Sequence, residues 1–129
     1  MIYILINLLP IAAATLLGLA IGFAWLRAAG LPLPGPGALA GAALAEFWLA
    51  AILAGALILA PPQAGAWVMA AGSAVVIWIG FVVPVLWVTF MAQGLGARRT
   101  LAAALHWLAV ILGQAVLMQA IGLTAPPAA

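Results

Sequence analysis

Four long apolar runs, separated by short clusters of turn-forming or charged residues, set the pattern of this chain. A helix needs roughly 20 apolar residues to cross a hydrocarbon core about 30 Å thick, and each run meets that length. The runs predict spans over residues 4–26, 38–60, 67–93 and 101–123. The connections differ in kind. "RAAGLPLPGPG" is too rich in Pro and Gly to continue a helix, "PPQAG" reads as a tight turn, and "GLGARRT" ends one helix with Gly and flanks the next with Arg. The fold class expected is therefore all-α, a polytopic membrane protein built as an antiparallel four-transmembrane-helix bundle. It occupies one membrane domain over residues 1–129, closing in the short tail "APPAA". The first run has no basic segment before it and is longer than a signal core, so a retained span is expected.

Helical spacing then sorts the faces. Around Glu46 lie Ala42, Ala43, Ala50 and Ala54, with Leu49 and Leu53, while Leu44, Trp48 and Leu59 point the other way. Around His106 lie Ala102, Ala103, Ala109, Gly113, Gln114 and Ala120, with Val110 and Leu117 among them. Leu108, Ile111, Leu112 and Met118 are assigned to the opposite side. In the first run Asn7, Ile11, Ala14, Gly18, Gly22 and Trp25 fall near one line, and Ala14, Gly18 and Gly22 form two small-xxx-small steps. Lipid provides no hydrophobic drive for helices to associate, so small-residue faces mark close packing and bulky faces mark acyl chains. Ala14, Gly18, Gly22, Ala42, Ala50, Ala109 and Gly113 are the expected packing positions.

Composition sharpens this reading. The chain is 71% hydrophobic and 3% charged, with no Cys. Its only charged side chains are Glu46 and three arginines, Arg27, Arg98 and Arg99. So few cations make no nucleic-acid surface. All three arginines fall in the first and third connections, on one side of the membrane. The positive-inside rule makes that side cytoplasmic and puts both termini outside, here in a bacterial inner membrane; Ala richness and Arg without Lys suggest a bacterial origin. The arginines serve as topology signals with lipid headgroups in reach. Trp25, Trp67, Trp107 and Tyr3 near span ends read as interfacial aromatics.

Candidate chemistry is sparse. Glu46 and His106 are ionisable groups inside spans, which is where proton relays and intramembrane sites are built. Counted from the start of each predicted span, Glu46 lies ~12 Å along the second and His106 ~8 Å along the fourth, so the two are expected to meet, joined by Gln93 or an arginine. The alternative is that the pair only fixes packing. Gln114 is expected to satisfy a neighbouring helix, and Asn7, Ser73 and Thr89 to make local or interhelical hydrogen bonds. Pro84 cannot donate to the carbonyl of Gly80, so the third span should break there, either as a packing adjustment or as the lining of a site. One His, one Glu and no Cys or Asp make no catalytic triad, carboxylate pair or metal site, and "GLPLPGPG" lacks the Lys-Ser/Thr of a phosphate loop. No enzyme, cofactor or metal is expected.

"GFAW" closing the first span, "WIGFVVP" in the third, the Phe90-to-Gly94 exit into a short basic loop and "LHWL" early in the fourth are together similar to the domain of unknown function 1761 family. The resemblance covers most of the chain, with a slightly longer Phe90-to-His106 spacing than the family pattern. It implies a small four-span bacterial membrane protein and assigns no activity to any residue.

Plentiful packing faces and scarce reactive groups lead to an expected role as an accessory or interaction subunit within the bilayer, with other membrane chains or itself as partner. The alternative is a small proton-linked transporter or permeation unit that uses Glu46, His106 and the Pro84 break, as an oligomer. The tryptophans and small residues also leave room for a bound lipid, quinone or pigment.

Overall fold

The computed structural model describes residues 2–61 and 63–127. Six α-helices and one π-helical stretch form its regular structure: α1 (Ile2–Ile6), α2 (Leu8–Ala28), α3 (Pro36–Ile58), α4 (Ala66–Ile77), the π segment (Trp78–Val82), α5 (Val83–Ala92) and α6 (Gly96–Ile121). They make four helices long and apolar enough to span a membrane, Leu8–Ala28, Pro36–Ile58, Ala66–Ala92 and Gly96–Ile121. The protein is an all-helical, four-span bundle. Each span lies within a few residues of its expected range, except that the fourth begins at Gly96 rather than at 101.

Local chemistry explains the boundaries. Pro10 has no N–H to offer the carbonyl of Ile6, and the chain turns at Asn7 between α1 and α2. Pro36 opens α3 behind Gly35, a position where its missing donor costs nothing. The two loops that follow α2 and α5 begin alike. Gly30 (φ +65°) donates to the carbonyl of Arg27 while Leu31 reaches back to Leu26, and Gly94 (φ +71°) donates to Met91 while Leu95 reaches Phe90. Both are Schellman ends, which need a left-handed residue and so favour Gly. These two loops and their arginines define one end of the bundle, called here the arginine end.

The break expected at Gly80 and Pro84 takes the form of the π segment, where the N–H of Val83 donates to the carbonyl of Trp78 five residues back. A π turn is a recognised way to absorb an interrupted ladder in a long helix. Trp78 anchors it by donating its indole N–H to the carbonyl of Ala104 on α6 at 2.7 Å.

α6 is the hub, packing against α2, α3, α4, the π segment and α5. The backbone of α3 comes close to that of α4 but not to that of α5, so the second and third spans meet away from the arginine end and part towards it. The dry core lies on the far side: Ile11, Ala50, Leu53, Ala54, Ala74, Ile111, Ala115 and Met118 are all fully buried there. Ile111 and Met118 were expected to face lipid, whereas Ala109 and Ala120, expected at an interface, are exposed. A single-stripe reading fails for α6 because a hub helix buries more than one face. The third span is the opposite case: the most apolar stretch of Ala66–Ala92 is only 6% buried, against 33% for Gly96–Ile121.

Candidate functional site

α2 brings Gly18 and Gly22 to face the interior one turn apart. Gly18 is buried, and a Cβ there would collide with the carboxyl of Glu46 and lie 2.7 Å from the amide nitrogen of Gln114. Gly22 is the corresponding seat for His106, whose Nε2 would lie 3.9 Å from a Cβ at that position. The small-residue stripe therefore makes room for polar side chains from α3 and α6, rather than serving only as a surface for backbone contact.

Glu46 from α3 and Gln114 from α6 form the central pair. The Gln114 amide (Nε2) donates to Glu46 Oε2 at 2.7 Å, with Glu46 6% exposed and Gln114 fully buried. The oxygen of the Gln114 amide, Oε1, is buried without a hydrogen-bond partner among the described residues. His106 does not bond to Glu46. It stacks on Trp25 with ring centroids 5.3 Å apart at 25°, lies tilted to Trp107 at 5.4 Å, and has a buried Nε2 with no partner among the described residues. Glu46 and His106 nevertheless line one cavity of about 230 Å³, whose other walls include Gly18, Gly22, Phe23, Ala45 and Trp107. The two seats on α2 set them roughly 6 Å apart along the bundle.

The expected direct meeting fails for a physical reason. Counting residues from each helix start assumes that the starts lie level. They do not: counted from the observed starts at Pro36 and Gly96, Glu46 and His106 each lie ~15 Å along their helices, yet Gln114, two turns (~12 Å) further along α6 than His106, is the residue that reaches Glu46, so α6 starts further out than α3.

The remaining candidates disperse. Gln93 is exposed at the end of α5 and takes no part in the pair. Arg27, Arg98 and Arg99 are exposed, and Arg98 and Arg99 line a separate cavity of about 620 Å³ with Trp25 and Phe90. Asn7 belongs to the far end. Its amide donates to the carbonyls of Tyr3 and Thr124, both at 2.8 Å, and its Oδ1 accepts the N–H of Thr124 at 2.7 Å, tying the chain after α6 to the start of α2. Ala14 and Ala50 are buried, Ala42 and Gly113 partly so, and Gly80 and Pro84 are exposed on the outer side of the third span. Of the expected interfacial aromatics, Trp67 is exposed, whereas Trp25 and Trp107 turn inward to His106 and Tyr3 packs against Gly55.

Trp107 is the member of the site that spacing alone does not mark. It lines the Glu46 cavity and also an outer groove of about 340 Å³ made by Ala45, Leu49, Phe81, Val82, Val85 and Leu86, where α3 and α5 have parted. Its position next to His106 was the available signal.

Fold and site together define a small multi-pass integral membrane protein with an intramembrane carboxyl-amide pair beside an apolar cavity. No protein-family model, curated protein or solved structure matches the chain.

Proposed function

We propose that the protein is a small proton-linked permeation unit centred on Glu46. The observation that carries this reading is the cavity beside the Glu46–Gln114 pair. Glu46 is almost fully buried against Gly18 and Gln114, yet it also lines a cavity whose walls are otherwise mostly apolar, where a group used only for packing would leave no such space. In such surroundings an uncompensated charge is costly, so the group holds either a proton or a cation. Exchange of one for the other is proton linkage at its simplest. Gln114 holds Oε2 in both states, and His106 lies between the carboxyl and the arginine end, on the route a proton would take to water. Four spans enclose little room, so a second copy would complete a pathway across the bilayer.

Proteoliposomes loaded with a pH-sensitive dye test this. Wild-type protein is expected to carry proton flux that falls about tenfold or more in Glu46→Gln and more modestly in His106→Ala. Flux unchanged in both variants would remove these residues from the mechanism.

The bare third span favours a second reading, association with another membrane chain or a second copy. Trp67, Val68, Val76, Ile79, Phe81, Val85 and Val88 form an outer surface that this chain leaves uncovered. Native mass spectrometry of protein released gently from its membrane is expected to give a defined complex; a monomer under every condition would count against both this reading and the dimeric pathway. A bacterial inner-membrane location with both termini outside is part of the proposal, supported by the three arginines at one end. So is membership of the domain of unknown function 1761 family, supported by the short motifs that suggested it. An impermeant thiol reagent should label Thr124→Cys but not Ala29→Cys in intact cells.

A further inference from the structure

The lining of the cavity and the parting of α3 from α5 together carry the proposal further, to the kind of molecule the site admits. We propose that Glu46 binds a lipophilic cation about the size of one aromatic ring, an amine or quaternary ammonium, which enters sideways from the bilayer between α3 and α5 past Trp107.

This inference rests on Glu46 being exchangeable, and three observations add to that reading. First, Glu46 is the only acidic side chain in the protein and no arginine lines its cavity, where His106 is the one other titratable side chain, so the site has a negative partner to offer and no fixed positive charge. Second, the walls are mostly apolar, with the aromatic rings of Phe23 and Trp107 lining the same cavity as Glu46. Apolar walls select against hydrated metal ions, which are stripped of water only by several oxygen ligands, and aromatic rings favour organic cations. Third, the route is lateral. Ala45 and Trp107 belong both to the Glu46 cavity, which lies among α2, α3 and α6, and to the outer groove, so the two spaces share a wall that includes one exposed small residue and one indole. The π segment supplies Phe81 and Val82 to that groove, which gives the break before Pro84 a part in shaping the entrance. An inner volume of about 230 Å³ limits the ligand to a small one.

Benzyltrimethylammonium and its neutral isostere neopentylbenzene are suitable probes, titrated calorimetrically into nanodisc-embedded protein in weakly buffered solution with a pH indicator. Wild-type protein is expected to bind the cation about tenfold or more tightly than the isostere and to release protons as it binds. Glu46→Gln, which keeps a side chain able to pair with Gln114, should lose that preference and the proton release. Ala45→Phe alters an exposed position, so the fold should be retained while the threshold is filled; in stopped-flow mixing it should slow cation association about tenfold, since a portal sets the rate of entry. Equal binding of cation and isostere by wild-type protein would overturn the proposal, as would cation binding that Glu46→Gln leaves unchanged. Entry by another route is indicated, and the lateral portal overturned, if Ala45→Phe binds as fast as wild type does. Proton flux that depends on Glu46 without any cation preference would leave the permeation reading standing and sink this one; cation binding without flux would do the reverse.

Discussion

The two ends of the bundle are built on opposite plans. Away from the arginines, α2, α3, α4 and α6 close around Ile11, Leu53, Ala54, Ala74 and Met118 with no exposure, and Asn7 fastens the chain at Thr124 by hydrogen bonds in both directions. Towards the arginines α3 and α5 part around the outer groove, and the Glu46 cavity lies among α2, α3 and α6. Ala and Gly are used at both ends, to different effect. At the closed end small residues let helices approach; at the open end Gly18 and Gly22 leave room for Glu46, Gln114 and His106. Stability is concentrated in one half and the polar chemistry sits at the boundary with the other.

Substitutions that invade this boundary should have the largest effect. Gly18→Ala would drive a methyl group into the carboxyl of Glu46 and the amide of Gln114, combining overpacking with a broken buried hydrogen bond; a loss of about 3 kcal/mol is expected in reversible unfolding from mixed micelles. Gly72→Ala is the control, because a Cβ there meets nothing within 4 Å, and it should change stability by less than about 0.5 kcal/mol. Next comes Gln114→Leu, which removes the donor to Glu46 and leaves the carboxyl without a hydrogen-bond partner. About 1 to 2 kcal/mol should be lost, and the Glu46-dependent proton flux should change with it. At the closed end, Asn7→Ala removes the contacts to Thr124 and should cost about 1 kcal/mol. Its signature is local: faster amide hydrogen exchange at Thr124 with flux retained, the converse of Gln114→Leu. The smallest effect belongs to Gly80→Ala on the exposed side of the π segment, where a Cβ again meets nothing; stability should stay within about 0.5 kcal/mol. A large loss there would mean that this surface is covered, and would strengthen the association reading.

How far these features are legible in sequence follows from their range. Span number and approximate ends are local properties, set by the length of apolar runs and by Pro and Gly, and "GLPLPGPG" and "GLGARRT" mark them plainly. The interruption at Pro84 is local too, but the π segment it takes also carries Trp78, whose indole bonds the carbonyl of Ala104 on α6, a partner that lies 26 residues away and outside any local pattern. Which polar groups meet is a question of relative helix height, and one-dimensional counting lacks it. Because α6 starts further out than α3, Gln114 and not His106 is the partner of Glu46. The face of α6 was misjudged for a related reason: Ile111 and Met118 are bulky yet fully buried, because a helix with neighbours on several sides has no single lipid stripe.

The central claim is that Glu46 is an exchangeable carboxyl group in an open cavity rather than a fixed packing device. As the only acidic side chain in the protein, it can be followed directly by infrared difference spectroscopy, with Glu46→Gln as the blank. The account predicts a protonated-carboxyl signal that converts to carboxylate when benzyltrimethylammonium is added and returns when it is washed out, absent from the variant. A Glu46 signal that stays the same with and without the cation would contradict it.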